Sequence, residues 1–143
     1  MREFVTNSYE ETVELGSSIA GELPKGSVIA FIGGLGMGKT AFTTGVAKGL
    51  GIDCDVSSPT FAICNSYIGK VNTLHHFDMY RIESWEDLYS TGFFDYLDTD
   101  AYIAVEWSEN VYGALPEYTT VVEISKTGDN SRSFKIYKKF EEE

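Results

Sequence analysis

The chain has 143 residues, about one domain's worth and long enough to bury a substantial core. Its 22 acidic against 11 basic residues leave a formal charge of −11, which argues against gripping a nucleic-acid backbone as the primary role, because that task needs a basic face. No apolar stretch approaches bilayer length, and Met1-Arg2-Glu3-Phe4-Val5 lacks the basic-then-apolar order of a secretion signal, so a cytoplasmic protein is expected.

In chain order, Arg2 to Thr6 is a short strand candidate. Ser8 with Glu11 forms a capping box that opens a helix with apolar positions Leu15, Ile19 and Leu23, ended by Pro24 and Gly26. Val28 to Ile32 reads as a buried strand, and Thr40 to Leu50 as a helix whose Phe42, Val46 and Leu50 recur every four residues to anchor it on a sheet. Gly45 and Gly49 beside that stripe suit close packing, and Gly51 suits the helix end. After a polar stretch to Thr60, Ala62 to Tyr67 and Val71 to Phe77 form an antiparallel hairpin joined at Gly69-Lys70. Ser84 with Asp87 caps a short helix, and Phe93 to Leu97 continues as helix or turn. Ala101 to Val105 is a further buried strand, and Thr119 to Ser125 and Ser131 to Tyr137 flank the turn Thr127-Gly128-Asp129-Asn130. Together these elements specify a single α/β domain with a mixed sheet flanked by helices.

Between the Val28 strand and the Thr40 helix stands Gly33-Gly34-Leu35-Gly36-Met37-Gly38-Lys39-Thr40, a full match to the phosphate loop in which two glycines, a lysine and a hydroxyl residue have fixed spacing. Strand, glycine loop and helix occur in the required order, so the chain is expected to bind a nucleoside triphosphate. Gly33, Gly36 and Gly38 let backbone N–H groups approach phosphate oxygens at the positive end of the helix. Lys39 is assigned to the β- and γ-phosphates and Thr40 to a Mg²⁺ ion bridging them. Met37 and Ala41 complete the expected nucleotide contacts.

Such a loop needs acids that hold Mg²⁺ or orient water, usually at the ends of neighbouring strands. Glu106 follows Tyr102-Ile103-Ala104-Val105, and Asp78 follows His76-Phe77; both are candidates. Ser58-Pro59-Thr60-Phe61 suits a switch-like loop that senses the γ-phosphate, and Trp107 suits stacking or water exclusion beside it. His76 reads as a hydrogen-bonded structural residue, whereas Arg81 is divided between a phosphate or partner contact and a structural salt bridge. Cys54 and Cys64 lack metal or redox spacing and read as reduced thiols.

The phosphate loop, Ser58-Pro59-Thr60-Phe61, His76-Phe77-Asp78-Met79-Tyr80-Arg81 and Glu106-Trp107 together resemble the TsaE (YjeE) ATPases of bacterial tRNA threonylcarbamoyladenosine synthesis. The resemblance implies a small P-loop ATPase using ATP and Mg²⁺ that associates with the TsaB–TsaD pair, which modifies adenosine 37 of tRNA. It assigns Lys39 and Thr40 to phosphate and metal, Glu106 to the metal site, Asp78 to hydrolysis, and Thr60 and Trp107 to the nucleotide-responsive surroundings. The chain departs from the family's usual acidic residue at Gly34, alanine at Met37 and proline at Ser108. Two other uses of the loop are a nucleotide-gated binding module without required hydrolysis and a small-molecule kinase. Only three arginines, Arg2, Arg81 and Arg132, suit a kinase poorly, and no N-K-x-D or D-x-x-G motif supports a regulatory GTPase.

Overall fold

The computed structural model describes residues 1–33, 38–53, 56 and 64–141. Seven strands form one sheet: β1 (Arg2–Thr6), β2 (Val28–Ile32), β3 (Cys64–Ile68), β4 (Thr73–Asp78), β5 (Tyr102–Glu106), β6 (Thr120–Lys126) and β7 (Arg132–Lys138), in the spatial order β1-β7-β6-β2-β5-β4-β3. The central run β6-β2-β5-β4 is parallel, and antiparallel pairs close both edges. The mixed sheet and edge hairpins agree with the α/β expectation. Residues of β2 alternate between faces: Ile29 and Phe31 join one core cluster, Val28 and Ala30 the other.

The first face is covered by α1 (Tyr9–Gly21) and α2 (Lys39–Gly49). Ser8 caps α1 by accepting from the Glu11 N–H at 3.1 Å, while the Glu11 carboxylate accepts from Asn7 N–H at 2.8 Å, one residue earlier than a reciprocal capping box requires. Of the apolar stripe expected on α1, Ile19 is buried, whereas Leu15 and Leu23 are only partly so. The buried face instead runs through Thr12, Val13, Gly16, Ile19 and Ala20, because α1 packs chiefly on α2. Phe42 lies edge-on to Phe31 at 5.6 Å and tilted against Phe134 at 5.7 Å, which anchors α2 to the sheet. Full burial of such a ring contributes about 1.5–3 kcal/mol. The two helices touch backbone to backbone: a Cβ on Gly45 would stand 2.0 Å from the Val13 carbonyl oxygen, and one on Gly16 2.2 Å from that of Phe42.

The second face is covered by α3 (Trp85–Ser90), α4 (Phe93–Leu97) and a 3-10 segment, Ser108–Ala114, which the sequence reading did not anticipate. Ser84 caps α3 by accepting from the Asp87 N–H at 3.1 Å. The β3–β4 connection is longer than expected: Ile68 pairs with Thr73, so Gly69 to Asn72 forms the loop and Val71 lies outside the strand, 76% exposed. Gly69 N–H donates to Asn72 O at 2.8 Å, and the Asn72 amide donates to Leu50 O at 2.9 Å, so the loop docks on the end of α2. The beginning of the expected Ala62 strand lies outside the described residues. Among those residues, no helix is long and apolar enough to cross a membrane.

Candidate functional site

Parallel register brings three strand ends level. Ala30 of β2 is paired with Val105 of β5, and Asp78 of β4 with Glu106 of β5. The two expected carboxylates therefore stand on adjacent strands, at the sheet edge where β2 runs into Gly33. This is the carboxyl end of the parallel strands, where open α/β sheets bind ligands.

Gly33 has φ +153°, and a Cβ there would come 2.9 Å from Ile124 O of β6; Gly38 has φ +96° and precedes the first residue of α2. Both ends of the described loop thus use backbone that side-chain-bearing residues rarely adopt. Lys39 opens α2 and is only 5% exposed, yet its Nζ has no hydrogen-bond partner among the described residues. Burying an unpaired ammonium is costly, so this arrangement suits an anion arriving at the helix start. The ring centroid of Trp107 is 4.8 Å from Lys39 Nζ. Thr40 is half-buried in the same first helical turn, and Ala41 beside it is buried.

Trp107 is the only non-glycine at positive φ among the described residues, at φ 58° and ψ 40°. A left-handed residue costs about 1–2 kcal/mol, and here the turn places an indole over the lysine. Ser108 holds that turn in place. It is fully buried, and its hydroxyl donates to Phe31 O at 2.7 Å, joining the residues after β5 to β2. Asn110 then donates through its amide to Met79 O at 2.8 Å and Tyr80 O at 3.2 Å, tying the 3-10 segment to the residues after Asp78. Neither Ser108 nor Asn110 was singled out for such a role from sequence, because a serine or asparagine after a strand carries no signal of a distant carbonyl.

Glu106 is 5% exposed, and its Oε2 lies 2.5 Å from His76 Nε2; His76 itself is fully buried. The histidine expected to be structural is therefore the partner that orients a candidate metal ligand. His76 and Asp78 are two residues apart on β4, so they share a face, and Asp78 faces Glu106 across the register. Asp78 is half-buried and accepts from Tyr80 N–H through Oδ1 at 2.9 Å, and Met79 N–H donates to Glu106 O at 3.0 Å. The Thr40 hydroxyl and the carboxylates of Glu106 and Asp78 are hard oxygens, the kind of donor Mg²⁺ takes; among the described residues no cluster of three or more His, Cys, Asp or Glu side chains could hold a metal ion.

Arg132 enters from β7, with Cγ and Nε 3.8 and 3.9 Å from the place a Cβ on Gly38 would occupy. Its Nη1 donates to Ser131 O at 2.9 Å and Gly128 O at 3.3 Å, fixing a cationic side chain beside the loop. Arg81 is exposed and has no ion pair among the described residues, so the structural salt bridge considered for it does not form there. Cys64 has no disulfide partner among the described residues, and burial raises its thiol pKa. Gly36, Met37, Cys54 and Thr60, with the rest of Ser58-Pro59-Thr60-Phe61, lie outside the described residues.

The family model for threonylcarbamoyl adenosine biosynthesis protein TsaE matches residues 6–134, a span containing every strand end and loop residue of this site. The chain belongs to the TsaE family. Its TsaE relatives include the tRNA threonylcarbamoyladenosine biosynthesis protein of Treponema pallidum, 36% identical over 132 residues that cover 92% of this chain and 97% of that one. The TsaE of Bacillus subtilis is 39% identical over 124 residues, covering 86% and 77%. The crystal structure of YdiB from Bacillus subtilis superposes with a TM-score of 0.78 at 32% identity, covering 93% of this chain and 82% of that one. TsaE membership places the chain in tRNA threonylcarbamoyladenosine biosynthesis and agrees with the sheet and helices described above.

Proposed function

We propose that this TsaE chain is a Mg²⁺-dependent ATPase that supports formation of threonylcarbamoyladenosine at tRNA position 37 by binding and resetting the TsaB–TsaD complex. The observation that carries the reading is the buried Lys39 ammonium at the start of α2, without a hydrogen-bond partner among the described residues, together with Asp78 and Glu106 paired at the ends of β4 and β5. A triphosphate would supply the missing counter-charge, and the helix start would add its unpaired N–H groups. Thr40 and Glu106 would hold Mg²⁺, which neutralises charge on the β- and γ-phosphates when bound.

Asp78 or Glu106 orients the attacking water, with His76 fixing the Glu106 carboxylate and Trp107 limiting access of bulk water. Arg132 stands beside Gly38, and a partner that contributes further positive charge would accelerate turnover. Hydrolysis is then slow in the isolated chain and tied to complex assembly, and it resets conformation rather than transferring a group to tRNA.

The test is ATP hydrolysis by the chain alone and with TsaB–TsaD, using Lys39→Ala as control. Partner-stimulated turnover that Lys39→Ala abolishes is expected; tight ATP binding without turnover in either condition would refute the ATPase. Asp78→Asn separates hydrolysis from switching, because asparagine can still accept the 2.9 Å bond from Tyr80 N–H while losing the charge. Nucleotide binding should persist and function should be lost. Full tRNA modification over many turnovers by Asp78→Asn would favour a nucleotide-gated module.

A further inference from the structure

We propose that the groove between the start of α3 and the 3-10 segment Ser108–Ala114 is the surface on which the partner docks, and that it receives a polypeptide segment carrying lysine or arginine around an apolar side chain. The proposal rests on the partner-binding reading above. The groove has a volume of about 230 Å³. Ile82, Leu88 and Val111 form its floor, exposed by 7%, 2% and 6%. Trp85 stands at its mouth, 60% exposed, and stacks on Phe94 at 6.4 Å; Tyr89, 66% exposed, packs tilted against the same Phe94 ring at 4.8 Å. Two large exposed aromatics held by a shared ring, beside an apolar floor, have the make-up of an interface anchor rather than of scattered surface residues.

Charge identifies the occupant. Glu83 and Glu109 line opposite walls, no lysine or arginine lines the groove among the described residues, and Glu86 and Asp87 follow on α3. Lys139 approaches from behind, over the Tyr112 ring at 5.1 Å, but its ammonium is already bonded to Leu115 O at 2.7 Å. An acidic rim around an apolar floor complements a basic segment with an apolar tip, and it repels a nucleic-acid backbone.

The groove is also built from the residues that leave the nucleotide site. Its α3 wall follows Asp78 by way of Met79 and Tyr80, its other wall follows Glu106-Trp107, and Asn110 bonds the two through Met79 O and Tyr80 O. Tyr80 packs on Trp107 at 4.9 Å, and Trp107 covers Lys39. These contacts give a physical route between the phosphates and the groove walls, and any coupling carried along it is reciprocal, so that occupancy of the groove and nucleotide affinity change together.

The experiment measures binding of purified TsaB–TsaD to the wild-type chain, Trp85→Ser and Glu109→Lys, with ATP present and at two salt concentrations. Trp85 and Glu109 lie outside the nucleotide machinery, so both variants should keep wild-type ATP affinity and folding. The expected result is at least tenfold weaker TsaB–TsaD binding for each, with a flatter salt dependence for Glu109→Lys. Wild-type binding by both variants would overturn the groove as the docking surface while leaving the partner reading intact. Failure of the wild-type chain to bind TsaB–TsaD would overturn the partner reading and the groove with it. Loss of self-association, or of tRNA binding, in Trp85→Ser with no change toward TsaB–TsaD would reassign the surface to that occupant and refute the proposal.

Discussion

Replacing Gly45 by alanine tests the helix contact that positions the nucleotide site. The new Cβ would stand 2.0 Å from Val13 O, 2.8 Å from Val13 C and 2.9 Å from Ser17 N, all backbone atoms of α1. Ordinary C···O contacts begin near about 3.3 Å, so α1 and α2 would have to separate locally by about 1 Å or more. Overpacking of this kind costs about 1–3 kcal/mol and more when backbone must move, against a gain of about 1 kcal/mol in helix propensity. Here the obstacle is a carbonyl of a packed helix rather than the end of a flexible side chain, so a net loss of about 2 kcal/mol is expected. That corresponds to a fall in Tm of about 5–10 °C for a chain of this size. Because Lys39 begins the displaced helix, ATP affinity should fall as well. Gly21→Ala is the control: nothing lies within 4 Å of its Cβ position, so its stability should be unchanged or slightly raised. Thermal unfolding and nucleotide titration of both variants decide the matter. A Gly45→Ala protein as stable as wild type would refute the close helix contact.

Ser108→Ala should cost about 1–2 kcal/mol, because it leaves the buried Phe31 carbonyl without the 2.7 Å bond, and denaturant midpoints would show the loss. It should also loosen the Trp107 turn, observable as greater quenching of tryptophan fluorescence in Trp85→Phe protein. His76→Phe removes the 2.5 Å partner of the buried Glu106 carboxylate; the Mg²⁺-dependent ATP turnover proposed above should fall more than tenfold, and His76→Gln should recover part of it if orientation is the cause. Acid should destabilise the protein through His75, whose pKa burial lowers from 6.5. The unfolded chain then takes up the proton first, so stability present above about pH 6.5 is lost as pH falls toward the depressed folded value. Urea midpoints of wild type and His75→Gln should converge or cross on acidification, and a constant difference between pH 7 and 5 would contradict that linkage.

Much of the site can be read from the sequence because its signals are local. A glycine-lysine-threonine spacing specifies a phosphate loop, Ser8 and Ser84 specify helix starts, and the unbroken apolar run Val28–Ile32 specifies a strand buried on both faces, since each depends on neighbours within a few residues. Delivery of Asp78 and Glu106 to a sheet edge is likewise legible, Glu106 because it ends the apolar run Tyr102-Ile103-Ala104-Val105 and Asp78, more weakly, because it follows His76-Phe77 at the end of a strand candidate. What sequence could not supply was register and packing between distant segments. Only the parallel pairing of β4 with β5 puts Asp78 opposite Glu106 and His76 within reach of its carboxylate. Only the sheet order brings Ser108 to Phe31, Trp107 over Lys39 and Arg132 beside Gly38. The glycines of α1 and α2 show the same division: their presence is written in the chain, but which carbonyl each one admits depends on the helix that packs across it. Local propensity acts over a few bonds, whereas these contacts join segments far apart in the chain and exist only once the sheet has fixed their positions.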